Sequence, residues 1–70
     1  MRKYVRSIRV EDASGAQFHI HEYLVRERLF GYVRKRPYFQ LDTGERMEQV
    51  DPNAFRVVRT GEVLMRSHSR

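Results

Sequence analysis

A turn that occurs twice constrains the fold of this chain more than any other feature of its sequence. Residues 42–45 read Asp-Thr-Gly-Glu and residues 59–62 read Arg-Thr-Gly-Glu, and an apolar-containing run precedes and follows each of them. Glycine readily takes the positive φ that a tight hairpin turn requires. The repeat therefore predicts two consecutive antiparallel hairpins, with Gly44 and Gly61 at positive φ.

Runs of β-branched and aromatic residues between turn residues predict strands along most of the chain. We place these strands at residues 4–10, 17–24, 38–41, 46–50, 55–59 and 62–66. The predicted fold class is therefore all-β: a small antiparallel barrel or a strongly bent sheet, SH3-like or OB-like in shape, with six to seven short strands in consecutive hairpins.

The segment between the second and third of these strands gives conflicting signals. Val25, Leu29 and Val33 recur every four residues, as on one side of a helix. Gly31 and Pro37 argue against a long helix, because glycine weakens a helix and proline ends it. We expect a loop or one helical turn at residues 26–29, a strand at residues 30–34 and a charged turn at residues 34–36.

A chain of 70 residues makes one domain, which we place at residues 1–66, followed by a frayed tail at residues 67–70. Alternation of apolar and polar residues within the predicted strands marks the side chains that we expect in the core. They are Ile8, Val10, Phe18, Ile20, Leu29, Phe39, Leu41, Met47, Phe55, Val57, Val63 and Met65.

Cysteine is absent, which excludes disulfides and thiolate metal sites and is typical of proteins in a reducing compartment. The basic N-terminus is not followed by the apolar segment of a secretory signal. No apolar run reaches membrane-spanning length. We therefore expect a cytoplasmic protein.

The formal net charge of +5 belongs to the first half of the chain. Residues 1–36 contain nine basic and four acidic residues, whereas residues 37–70 contain five of each. Twelve of the fourteen basic residues are arginine, whose planar fork of donors suits phosphate and carboxylate groups. A GC-rich genome, which favours arginine codons, explains the same composition without any function.

Cations and aromatic rings are interspersed between residues 26 and 38. Single-stranded nucleic-acid sites use this combination, because rings stack on bases while Arg and Lys bind phosphates. Alternatively, Phe30 and Tyr32 belong to the core or its rim, and the cations only keep a small domain soluble. The candidate surface for nucleic acid or a protein partner consists of Arg26, Arg28, Phe30, Tyr32, Arg34, Lys35, Arg36 and Tyr38.

His19 and His21 are separated by one residue on a predicted strand, so their side chains project from the same face. Two imidazoles in this arrangement can bind one metal ion when a third side chain completes the site. The alternative is that both lie on the solvent face of an amphipathic strand. The sequence favours this alternative, because the alternation of the strand already implies it and two ligands alone are a weak signal.

Catalysis has little support, because the glycines are isolated and the acidic pairs lie in predicted turns. We expect no enzyme, no cofactor and no membrane partner. The leading hypothesis is a small basic binding module that acts by protein–protein interaction or self-association, as a homodimer or an accessory subunit. Tyr and Arg are enriched at interfaces, and the edge strands of an incompletely closed sheet can pair. The alternative is a domain that binds single-stranded RNA or DNA.

Overall fold

The computed structural model describes residues 2–67, which form a closed antiparallel barrel. Each strand pairs with the next one in the chain, and β1 also pairs with β6 through Val10–Arg66 and Glu11–Met65. The predicted all-β barrel of consecutive hairpins is thus confirmed. Residues 68–70 of the predicted tail lie outside the described residues. The strands are β1 (Arg2–Glu11), β2 (Gln17–Leu29), β3 (Tyr32–Leu41), β4 (Arg46–Asp51), β5 (Ala54–Val57) and β6 (Val63–Arg66).

No helix in residues 2–67 has both the length and the apolar character that crossing a membrane requires.

The apolar core fills the barrel, and strand alternation predicts most of it. The rings of Phe39 and Phe55 meet edge to face at its centre, with their centroids 5.2 Å apart. Burial of each such side chain contributes about 1.5–3 kcal/mol to folding. The predicted Phe18 is partly buried and packs against this cluster. The buried members of the cluster are Ile8, Val10, Ile20, Phe39, Leu41, Met47, Phe55, Val57 and Leu64.

The last strand shows where the prediction of the core is wrong. Val63 and Met65 are half-exposed, whereas Leu64 between them is 2% exposed. The register pairs Leu64 with Phe55, which places Leu64 on the inner face of the barrel. Three consecutive apolar residues in a four-residue strand do not indicate which face is buried, and a slip of one residue exchanges the faces. The predicted core residue Leu29 is exposed as well.

Both repeated turns have the predicted conformation, with φ of +101° at Gly44 and +82° at Gly61. The two turns also lie side by side. Arg59 in the second turn contacts Glu45 in the first, with Nη2 2.6 Å from Oε2. The hydrogen bond from Arg59 lowers the pKa of Glu45 below its ordinary value. The repeat therefore places two glycine turns at one end of the barrel, joined by an ion pair.

The predicted loop or helical turn at residues 26–29 and the charged turn at residues 34–36 are wrong, because β2 continues to Leu29 and β3 runs from Tyr32 to Leu41. Of the strand predicted at residues 30–34, residues 32–34 are in β3. Residues 25–36 form a two-stranded antiparallel ribbon, which we call the arm. Its turn consists of Phe30 (φ +49°) and Gly31 (φ +88°) between the paired Leu29 and Tyr32. Two successive residues at positive φ make a tight hairpin turn of the type that usually has Asn, Asp or Gly first. Because phenylalanine is atypical at this position, the sequence did not predict the hairpin.

The arm projects from the barrel because the first three strands are longer than the others. They have 10, 13 and 10 residues, whereas β4, β5 and β6 have 6, 4 and 4. β3 pairs with β4 only through Phe39 and Gln40, so its earlier residues leave the barrel wall. The molecule is accordingly elongated, with extents of 46 × 26 × 21 Å.

Candidate nucleic-acid interface

Seven of the eight predicted site residues lie on two opposite faces of β2 and β3, and the eighth, Phe30, lies in the turn. Ile20 and Leu41 pair inside the barrel, and every second pair toward the arm shares their face. This inner face has Leu24–Pro37, Arg26–Lys35 and Arg28–Val33. The intervening pairs form the outer face, which has Tyr23–Tyr38, Val25–Arg36, Glu27–Arg34 and Leu29–Tyr32. Tyr32 and Arg34 therefore share the outer face.

A row of three tyrosines crosses the outer face where the arm joins the barrel. Tyr4 on β1 lies beside Tyr23 on β2, with ring centroids 5.6 Å apart. Tyr23 lies beside Tyr38 on β3, with centroids 6.4 Å apart. Tyr4 is 51% exposed and the other two rings are partly exposed. The row therefore presents aromatic surface to solvent across three neighbouring strands.

Two arginines lie over this tyrosine row. The guanidinium carbon of Arg2 is 4.8 Å from the centre of the Tyr23 ring and 5.0 Å from that of Tyr38. The guanidinium carbon of Arg46 is 5.3 Å from the Tyr38 ring centre. Attraction between a cation and a ring face holds both arginines at this site. A guanidinium thus lies within contact distance of both the Tyr23 and the Tyr38 ring.

The cations farther out on the outer face are partly neutralised. Glu27 lies between two of them, with a carboxylate oxygen 3.3 Å from Arg36 Nη1 and 3.9 Å from Arg34 Nη2. Glu27 thus pairs with two predicted site residues, and these three side chains together carry one net positive charge.

The inner face of the arm has the opposite character, because its cations have no acidic neighbours. Arg26, Arg28 and Lys35 lie on it, and Lys3 on β1 pairs with Leu24 beside them. Arg2, Lys3, Leu24, Arg26 and Lys35 line one open cavity of about 290 Å³. Within residues 2–67 none of Lys3, Arg26, Arg28 and Lys35 forms an ion pair. The first acidic residue on this face is Glu22 near the barrel, and Arg6 binds it at 2.7 Å.

The arm carries the net charge of the described chain. Residues 25–36 contain five basic residues and one acidic residue, a net charge of +4. The remainder of residues 2–67 contains eight basic and eight acidic residues, a net charge of zero. Charge is thus concentrated on a narrow projection that polyanions can reach from either face.

Apolar side chains cluster at the tip of the arm, beyond its cations. Phe30 is 92% exposed, Tyr32 66%, Val33 50% and Leu29 37%. Phe30 and Tyr32 therefore belong neither to the core nor to its rim, which overturns the alternative interpretation of these two rings.

The predicted stretch includes only part of this surface. Arg2, Lys3, Tyr4, Tyr23 and Arg46 complete it, and none of them was a predicted site residue. Alternation places Tyr23 on the face opposite Phe18 and Ile20, so the sequence contained a signal for this ring. The register that aligns Tyr4 and Tyr23 includes a bulge between Tyr4 and Arg6, which the sequence does not reveal.

The two candidate metal ligands share a face but have separate neighbours. His19 Nδ1 lies 3.9 Å from a carboxylate oxygen of Asp42, and His21 Nδ1 lies 3.4 Å from the Tyr4 hydroxyl. Among residues 2–67, no three His, Asp or Glu side chains form a group that could hold a metal ion.

Comparisons with protein-family models, with curated proteins and with solved structures give no match for this chain.

Proposed function

We propose that this protein is a non-enzymatic module that binds single-stranded nucleic acid across the outer face of its arm. The observation that carries the proposal is the row of Tyr4, Tyr23 and Tyr38 with Arg2 and Arg46 over the rings. Aromatic side chains on a β-sheet stack with successive bases, whatever their sequence, because every base has a π-face. When bases cover the rings, Arg2 and Arg46 leave the ring faces and bind the phosphates between the bases.

The distribution of charge supports the same proposal. A net charge of +4 on a twelve-residue projection, beside a barrel of zero net charge, attracts a polyanion to the arm. Arginine is also the cation best suited to phosphate, because its planar fork donates two parallel hydrogen bonds. Binding by this surface should weaken steeply with salt, as counterions compete for the phosphates.

Binding of a labelled single-stranded oligonucleotide, followed by fluorescence anisotropy, tests the proposal. Tyr38→Ala should weaken binding by roughly 1–3 kcal/mol, the usual contribution of one stacked base. Tyr38→Phe is the matched control, because it keeps the ring and should keep the affinity. Wild-type protein that shows no binding at low salt would remove the proposal.

The phosphate contacts have a control of their own. Arg46→Ala should reduce the slope of log K against log salt by about 0.7, the share of one phosphate contact with a single strand. Arg56→Ala removes the same charge from the barrel, where Arg56 pairs with Glu48, and should leave the slope unchanged. Equal effects of the two variants would show that only net charge matters.

Association with a second copy or another protein is the second candidate, favoured by the unpaired edges of the arm. β3 pairs with β4 only at Phe39 and Gln40, so its backbone before Phe39 has no partner on that side within residues 2–67. Exposed strand edges can pair with another chain, although Lys35 and Pro37 are residue types that discourage this. Self-association predicts a midpoint of thermal unfolding that rises with protein concentration. A monomer in sedimentation at every concentration, with a constant midpoint, would rule out a homodimer.

A further inference from the structure

The tip of the arm combines full exposure with an unfavourable backbone conformation. Phe30 is 92% exposed and has a φ of +49°, in the left-handed region that bulky residues rarely adopt. Neither burial nor turn geometry explains a phenylalanine at this position, since Asn or Gly would fit the turn better. A bulky residue kept in such a conformation is typical of a functional contact.

The two faces of the arm offer different chemistry to a ligand that reaches the tip. The outer face has the tyrosine row, which suits the bases of a single strand. The inner face has Lys3, Arg26, Arg28 and Lys35 without an acidic neighbour, which suits a phosphate backbone. A ribbon with a base-binding face, a phosphate-binding face and an apolar tip fits the point at which two nucleic-acid strands separate.

The dimensions of the arm agree with this arrangement. β2 extends to Leu29, four residues beyond Val25, which is its last residue that pairs with β1. At roughly 3.3 Å per residue, the free ribbon is about 13 Å long. The tip can therefore reach the end of a duplex while the tyrosine row contacts the strand that leaves it.

We propose that the arm is a pin for nucleic-acid junctions: Phe30 inserts beside the last base pair of a duplex, at the point where its two strands part, and unstacks that pair. One strand then passes over the tyrosine row, and the other follows the cations of the inner face. Apolar side chains that insert between base steps in this way unstack them. The proposal rests on the proposed binding of single strands and adds the junction as the preferred ligand.

A forked duplex with single-stranded tails, containing 2-aminopurine at the first base pair, tests the pin. Wild-type protein should bind the fork at least about fivefold more tightly than the isolated tail, and the emission should rise as the base pair unstacks. Phe30→Ala should abolish both the preference and the rise while affinity for the tail stays within about twofold. Phe30→Trp should keep them, because it retains a ring at the tip. Arg26→Ala with Lys35→Ala should lose the preference, whereas the charge-matched pair Arg56→Ala with Arg59→Ala should not.

The outcomes separate the two proposals. Equal binding of fork and tail without a change in emission overturns the pin and leaves the binding of single strands intact. No binding of the tail by wild-type protein removes the proposed function itself. Phe30→Asn relieves the backbone strain, so it should unfold at a higher temperature and still lose the fork preference. Two other outcomes would overturn the pin if fork binding is unchanged in Phe30→Ala. Loss of dimers in this variant would assign the tip to contact with a second copy, and loss of sedimentation with anionic vesicles would assign it to a lipid surface.

Discussion

The barrel and the arm are built from the same antiparallel hairpins, yet they use their side chains in opposite ways. The barrel encloses Phe55 with 0% exposure, whereas the arm exposes 92% of Phe30. Acidic and basic residues balance in the barrel, whereas the arm has five cations and one carboxylate. The difference indicates that apolar burial, and with it most of the folding free energy, lies in the barrel, whereas the arm contributes little to the core.

The largest expected effect compares the two phenylalanines. Phe55→Ala should lower the free energy of unfolding by about 3–5 kcal/mol, because it leaves a cavity in the core. Phe30→Ala should change it by less than about 0.5 kcal/mol, because its ring is exposed. Urea denaturation measures both values, and Phe55→Leu provides a milder core variant if Phe55→Ala does not fold. A large loss for Phe30→Ala would break the comparison, since it would show that the tip supports the fold.

Two leucines sharpen the comparison at a smaller scale. Leu64→Ala should cost about 2–5 kcal/mol, because Leu64 is buried against Phe55. Leu29→Ala on the arm, where Leu29 is 37% exposed, should cost less than about 1 kcal/mol. Met65→Ala tests the register of β6, since Met65 is 50% exposed and its truncation should be nearly neutral. A greater loss for Met65→Ala than for Leu64→Ala would show that the register is shifted by one residue.

The smallest expected effect concerns acid and the ion pair between the repeated turns. The folded state lowers the pKa of Glu45 below its ordinary value of 4.5, through the hydrogen bond from Arg59. Glu45 therefore stabilises the fold above pH 4.5, and this contribution is lost as the pH falls through the lowered pKa. Glu45→Gln should be less stable than wild type at neutral pH and equally stable at low pH, as thermal unfolding across pH measures. A stability difference that persists at low pH would assign the effect to packing rather than to charge.

Most of the barrel could be predicted because its signals are local. Gly44 and Gly61 mark their turns, and alternation in β2 separates Phe18 and Ile20 from the histidines. The arm could not be predicted in the same way. Phenylalanine occupies the first turn position, and the spacing of Val25, Leu29 and Val33 equally suits a helix. Only the pairing of β2 with β3, from Val25–Arg36 to Leu29–Tyr32, decides in favour of strands.

The candidate site, likewise, could be predicted only in part. Interspersed cations and rings between residues 26 and 38 identified the arm as the binding surface to test, because composition alone reveals that combination. Which of these side chains share a face depends on register and on a bulge in β1, which bring Tyr4 beside Tyr23. Likewise, the shared carboxylate of Glu27 becomes visible only when β2 and β3 are aligned.

The sequence by itself therefore determined the fold class, the two glycine turns, most of the core and the basic stretch, since each follows from residue type and short-range periodicity. The tertiary structure decided the burial of Leu64 instead of its neighbours, the extension of the arm and the separation of its two faces. These depend on the register of hydrogen bonds between paired strands, which residue type alone does not determine. A shift of one residue in such pairing exchanges the faces of a strand without any change in its local preferences.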